Sequence, residues 1–347
     1  MVCMRTCLAL AALSFVIAAP ALAQEQPAPV TPGSVIESAA PEEWHSIAAE
    51  DLLVMELAPD AAGEPRTIVI QLMPAPLSQP WVENIRTLAR AQYWDGSSIN
   101  RVQDNYVVQW GQPDEGSGGT VKPVPEGLNV VPESAYTVDF APGLFGGRIY
   151  HRDGARDEIV RIEPRPFPHG PRPNSFADPY ADAVGFIGGF PAAAAMELTR
   201  DADIVSRPTQ AWPTHCYGMV GVGRDVSPDT GDGSQLYTVI GHAPRHLDRN
   251  IALVGRVIEG MEHLSSLPRG TGPLSFYETE EELVPILSFR IATDLANPPR
   301  FEFLDTGSVS FERYIAVRAN RHDDFYNIPA GGVDICNVPV PVRRAGD

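Results

Sequence analysis

The stretch Tyr93–Asp114, YWDGSSINRVQDNYVVQWGQPD, constrains this chain more than any other. Asp95-Gly96 is a turn signal, because glycine tolerates positive φ at no steric cost. A short strand carrying Ile99, Asn100 and Arg101 is predicted after it. Gln103-Asp104-Asn105 reads as a second turn. Tyr106–Trp110 is β-branched and aromatic, which predicts a second strand. Such a hairpin sets Arg101 near Gln109 on the neighbouring strand, with Tyr106 close by. Upstream, Ser78–Gln92 predicts a helix, with Ser78 or Pro80 at its start. Trp81, Ile85, Leu88 and Ala89 recur at helical spacing and give it one buried face.

These residues resemble the signature of the cyclophilin peptidyl-prolyl isomerases. In that family an aromatic residue, Asp and Gly lead into a strand carrying an Arg. A turn, an aromatic residue and Gln-x-Gly follow. Asp95-Gly96, Arg101, Tyr106, Gln109 and Gly111 stand at those positions. Trp81-Val82-Glu83-Asn84 is similar to the family's first helix; Asn84 reads as a helix-surface amide with no chemical role. The pattern returns at Tyr217. Met219–Arg224 resembles the strand that usually ends in Met-Ala-Arg or Met-Ala-Asn. Gly233-Ser234-Gln235-Leu236-Tyr237 matches Gly-Ser-Gln-Phe-Phe. Leu247-Asp248 and Val254–Met261 match the stretch that normally reads Leu-Asp, Phe-Gly-Arg-Val and Glu-Gly-Met. The resemblance covers about half of the chain, in two blocks, Asp51–Gln112 and Tyr217–Asp294.

The resemblance implies an all-β fold: a closed antiparallel eight-stranded barrel capped by two helices. It implies a peptidyl-prolyl cis–trans isomerase, with Arg101 as the catalytic residue. Tyr106, Val107, Tyr237 and Leu247 would form a proline pocket, and His246 would border it. Gln109 and Gln235 would bind substrate backbone and orient Arg101. Gly223 and Arg224 stand where the family contacts the peptide main chain. The departures are specific. Ile99-Asn100 replaces the usual Phe-His, and Tyr replaces Phe at Tyr106 and Tyr237. His246 stands where some members carry a Trp that favours cyclosporin, so weak drug binding is implied. Ile251 replaces a pocket His. The alternative is a catalytically weak or silent cyclophilin-like scaffold that holds peptides as a chaperone.

Elsewhere the residues exclude more than they assign. Met1–Ala23 has a charged start, a short apolar core and an Ala-x-Ala end, the pattern of a secretory signal peptide. Its apolar run is too short for a comfortable membrane span. A secreted, periplasmic protein with no stable membrane insertion after cleavage is the expectation. Loss of Arg5 with the leader takes the formal net charge from −18 to −19. That acidity argues against nucleic acid and anionic membrane surfaces. The eight His make no HExxH and no Cys/His zinc spacing, and Asp225–Gly233 lacks the closing Glu of an EF-hand. No metal or cofactor is implied. The partners expected are proline-containing exported polypeptides, met by a monomer.

Residues 24–50 are expected to be a flexible leader, 51–294 the barrel domain with an insertion at 115–214, and 295–347 an extension. An insertion of about 100 residues is long for a structureless loop. Within it, Asp178–Arg200 reads as a loop followed by a short helix. In the extension, Arg300–Phe303 and Phe311–Arg318 read as strands. Cys216 and Cys336 remain after leader removal; an oxidising compartment would let them pair. Sequence alone leaves paired and unpaired states equally open.

Overall fold

The computed structural model describes residues 29–111, 122–147, 150–151, 178–200 and 204–346. The expected leader peptide and part of the insertion lie outside these. Eight antiparallel strands close into a barrel: β1 (Leu52–Leu57), β2 (Arg66–Leu72), β3 (Ser98–Val102), β4 (Val107–Gly111), β5 (Met219–Val222), β6 (Leu236–Val239), β7 (Leu253–Glu259) and β8 (Val284–Ile291). Their order around the barrel is β5-β6-β4-β3-β8-β1-β2-β7, returning to β5. The period of two divides each strand between two environments. In β1, Leu53, Met55 and Leu57 enter the barrel core, while Leu52 and Val54 join an outer cluster with Val69, Ala292 and Phe301.

Two of the α-helices pack on the barrel. Trp81, Val82, Ile85, Leu88 and Ala89 of α2 (Gln79–Arg90) and Leu264 of α3 (Met261–Ser265) join the barrel core cluster. Ser78 stands at the N-cap position of α2 in a left-handed conformation (φ 54°) and makes no side-chain cap, contrary to expectation. Asn84 is buried rather than exposed. Its Nδ2 donates to the carbonyls of Asn129 and Asp232, and its Oδ1 accepts from the Asn129 N–H.

The insertion carries a five-stranded sheet, ordered Val138–Asp139, Ile204–Pro213, Phe190–Arg200, Ala183–Ile187 and Tyr150–His151. The helix expected after Asp178 is instead one arm of a hairpin. Gly188 and Gly189 take φ of 55° and 82° between Ile187 and Phe190, which pair directly. Two consecutive positive-φ residues suit a two-residue hairpin turn. Ala192 and Ala194 face the barrel core while Ala193 faces a second core. Sandwiching between two layers overrides the helix propensity of the alanine run.

That second core is built by described segments flanking the barrel on either side in sequence, together with the inserted sheet. The short helix α1 (Pro32–Glu37) buries Val35 against α4 (Val309–Ala319). Trp44–Ser46, Phe301–Leu304 and Val342–Arg344 form a three-stranded sheet. Residues 32–46 therefore carry structure where composition predicts a flexible leader. Phe311–Arg318 is helical rather than extended: Ser308 accepts from the Phe311 N–H, and Phe311, Tyr314, Ile315 and Ala319 are buried at helical spacing. Cys216 and Cys336 form a disulfide with Cα atoms 5.0 Å apart, fastening the extension to the barrel.

Candidate active site

The site begins with an irregularity in β3. Ile99 and Arg101 are two residues apart, so strict alternation would put both on one face. A bulge at Asn100 breaks the register: Ile99 pairs with Trp110, and Arg101 pairs with Gln109. Ile99 and Trp110 are fully buried in the barrel core. Arg101 is thereby turned to the outer face, as bulges often do beside functional sites. The row continues across the sheet, Gln109 opposite Tyr237 on β6 and Tyr237 opposite Gly221 on β5.

Arg101 is held on three sides. Its Nε donates to the carbonyl of Leu274 at 2.7 Å, and Nη1 donates to Gln109 Oε1 at 3.3 Å. Nη2 donates to Gln103 Oε1. The guanidinium lies 5.3 Å from the Phe276 ring centroid and 5.9 Å from that of Tyr106. Half-burial pulls its pKa below the usual arginine value, and Tyr106 opposes that. Gln103, Leu274 and Phe276 were not among the residues that sequence motifs single out. Leu274 and Ser275 take φ of 55° and 62° in a turn docked on β3 through Tyr277 N–H to Asn100 O and Gly270 N–H to Val102 O.

Beside Arg101 lies an apolar cluster, reached through Tyr106. Val107, Tyr237 and Val239 are its buried members, with Tyr106 and Ile251 packed against them. Ile251, the residue replacing a polar one, is thus part of that cluster. Gln235 stands two residues from Tyr237 on the same face of the chain. A side chain at Gly111 would meet Gln235 Oε1 at 2.6 Å, so only glycine lets that amide lie across β4. The Gly223 N–H donates to the Gln235 carbonyl at 2.8 Å. The Arg224 guanidinium donates to the backbone carbonyls of Asn250 and Asp225, spanning two loops. Leu247 is half-buried and His246 exposed on the turn Arg245–Leu247; the Leu247 carbonyl accepts from Ile251 N–H at 3.2 Å.

The model of the family described as cyclophilin type peptidyl-prolyl cis-trans isomerase/CLD matches residues 62–290. The chain belongs to this family. It is a cyclophilin-type peptidyl-prolyl cis–trans isomerase, and the closed eight-stranded barrel is the fold the motifs predict. The crystal structure of cyclophilin AquaCyp293 from Hirschia baltica is similar over 91% of this chain and 97% of that one, with a TM-score of 0.60 and 20% identity. Two crystal structures of a Cryptosporidium parvum cyclophilin type peptidyl-prolyl cis-trans isomerase, one in the presence of the dipeptide ala-pro, are 11% identical. They cover 72% and 69% of this chain and 99% and 98% of theirs. Their TM-scores of 0.35 and 0.33 are too low to weigh. No curated protein matches. Among the described residues, no helix is long and apolar enough to cross a membrane, and no group of three or more His, Cys, Asp or Glu is arranged to hold a metal.

Proposed function

We propose that this cyclophilin isomerises X-Pro bonds in exported, proline-containing polypeptides, with Arg101 as its catalytic cation, and that it works as a monomer in the periplasm. The observation that carries the mechanism is the bulge-turned guanidinium, held by Leu274, Gln103 and Gln109 beside the apolar cluster of Val107, Tyr237 and Val239. Rotation about the imide breaks amide resonance, a barrier of about 18–20 kcal/mol. Catalysis therefore requires tighter binding of the twisted form than of either planar form. On twisting, the prolyl nitrogen becomes pyramidal and gains a lone pair. A guanidinium stays charged and presents several donors in a rigid fork, so one N–H can meet that lone pair. The cluster, with Tyr106, Leu247 and His246 at its border, grips the ring. Gln109 and Gln235 orient the peptide backbone, and Gly223 and Arg224 offer it main-chain contacts. Export rests on the apolar leader with its Ala-x-Ala end.

A second reading, a peptide-holding scaffold with slow turnover, is favoured by one feature: every guanidinium nitrogen of Arg101 already donates within the protein. A coupled assay with a proline tetrapeptide separates the two. Arg101→Ala is expected to lower kcat/KM by about 10²-fold or more with the fold intact. Equal, negligible rates in both proteins would favour the scaffold. Cell fractionation tests the location; a cytoplasmic pool of full-length chain would remove that part of the reading.

A further inference from the structure

From the apolar cluster runs a buried polar chain that the isomerase reading does not use. The Tyr237 hydroxyl lies 2.9 Å from His215 Nε2, and the two rings are nearly parallel at 10°. His215 Nδ1 and its backbone N–H both lie 2.9 Å from Asp248 Oδ1. Asp248 Oδ2 accepts from Arg245 Nε at 2.6 Å, and Arg245 donates onward to both oxygens of Asp178 at 2.6 and 3.3 Å. All five residues are buried, His215 completely. Asp178 belongs to the inserted segment, so the chain links the apolar cluster to the insertion.

The chemistry sets a direction for these bonds. A carboxylate only accepts, so His215 carries its proton on Nδ1 and leaves Nε2 as an acceptor. The Tyr237 hydroxyl must then donate to Nε2. Space for this comes from Gly221: a Cβ there would stand 2.3 Å from Tyr237 Cζ and 2.4 Å from its hydroxyl. A bare backbone on β5 lets the phenol lie across the strand and reach His215. The order Tyr, His, Asp resembles a nucleophilic triad. The hydroxyl, however, is bonded to the fully buried His215, so it does not meet a peptide.

We propose that His215 is a positioning residue for the proline pocket: held in one tautomer by Asp248, it pins the Tyr237 ring as the pocket floor, and Arg245 and Asp178 extend that hold to the insertion. The inference rests on the isomerase reading for the pocket's purpose. It makes the insertion a working part of the substrate site, because Asp178 completes the partners of Arg245. It also explains why a tyrosine can stand where the family has phenylalanine: the hydroxyl is an anchor turned away from substrate.

A double-mutant cycle tests this, read both as kcat/KM and as affinity for a proline tetrapeptide. Asp178→Asn is expected to weaken both by about threefold to tenfold. In the Tyr237→Phe protein, which lacks the anchored hydroxyl, the same change should have less than a twofold effect, since coupled residues are not additive. Equal losses in the two backgrounds would overturn the proposal. Should Asp178→Asn fail to fold, His215→Gln takes its place in the cycle, and ¹⁵N spectra of labelled histidine report the anchor directly. A protonated Nδ1 and an unprotonated Nε2 whose resonance moves on Tyr237→Phe are expected. The opposite tautomer, or an Nε2 indifferent to Tyr237, would overturn it. A protein that binds the peptide with a coupled cycle yet never turns over would sink the isomerase mechanism alone. One that turns over with an additive cycle would sink this inference alone.

Discussion

At the scale of single residues, the site depends on how few atoms separate a working guanidinium from a core residue. Arg101 and Ile99 face opposite ways only because Asn100 is left out of the ladder. The Arg101→Ala assay above measures what that orientation contributes. His215 sets a second residue-scale property. Burial outweighs its contact with Asp248 and holds its pKa below the ordinary 6.5, with Arg245 and His246 adding to the depression. The unfolded chain therefore binds a proton near pH 6 that the folded chain refuses. Stability is full above about pH 6.5 and falls as pH drops through the unfolded value, by at most about 1.4 kcal/mol per unit from this group. Denaturant melts between pH 5 and 7.5 should show a shallower slope in His215→Gln than in the parent. Identical slopes would mean that His215 is charged in the folded protein. The facing of Arg101 and Gln109 was legible because both sit in one short motif with fixed spacing. His215 was not: its partners lie 22 and 33 residues downstream, and no local pattern marks them. Asn84 was misread for a related reason, since its partners come from the insertion and from the loop before β6.

At the scale of elements, helical spacing identified α2, and turn signals with β-branched composition identified β3 and β4; the misread elements share one cause. The alanine run 192–194 favours helix by propensity and Phe311–Arg318 reads as strand, yet each takes the opposite form against the layers beside it. The Gly188-Gly189 pair was the one local cue to the hairpin. The start of the insertion is fastened differently, by the two-way clamp of Asn84 on Asn129 and by Tyr136, which stacks on Trp81 with centroids 5.4 Å apart. Asn84→Ala leaves buried backbone groups without partners, which costs about 1–3 kcal/mol. Hydrogen exchange should rise across residues 129–136 and stay unchanged in β1 and β2. Unaltered protection of 129–136 would show that the clamp is dispensable.

At the scale of the whole molecule, the described residues form a barrel, an inserted sheet packed on it, and segments 32–46 and 301–344 packed on that sheet and the barrel's outer wall. The disulfide Cys216–Cys336 closes a loop of 120 residues between barrel and extension. A cross-link over about 100 residues stabilises by about 4.7 kcal/mol in the chain-entropy picture. Paired Cys216→Ser and Cys336→Ser changes are expected to lower the melting temperature and to hasten proteolysis first within α4 and residues 335–344. Cleavage beginning in the barrel strands would contradict that order. Pairing could not be decided from sequence because it depends on a tertiary approach, as does the docking of α1 on α4.

The buried ion pair of Arg245 with Asp178 carries a lesson for anyone wishing to trim this protein to a minimal catalyst. Cutting away the inserted sheet would strip a guanidinium of half its counter-charge and leave Ala192's neighbours in the barrel wall wet. The barrel is not a detachable kernel on this arrangement, since Asp178 and the alanine arm of the inserted sheet complete its buried contacts. Shortening would have to be accompanied by redesign of the newly bared wall, beginning at His215 and Arg245.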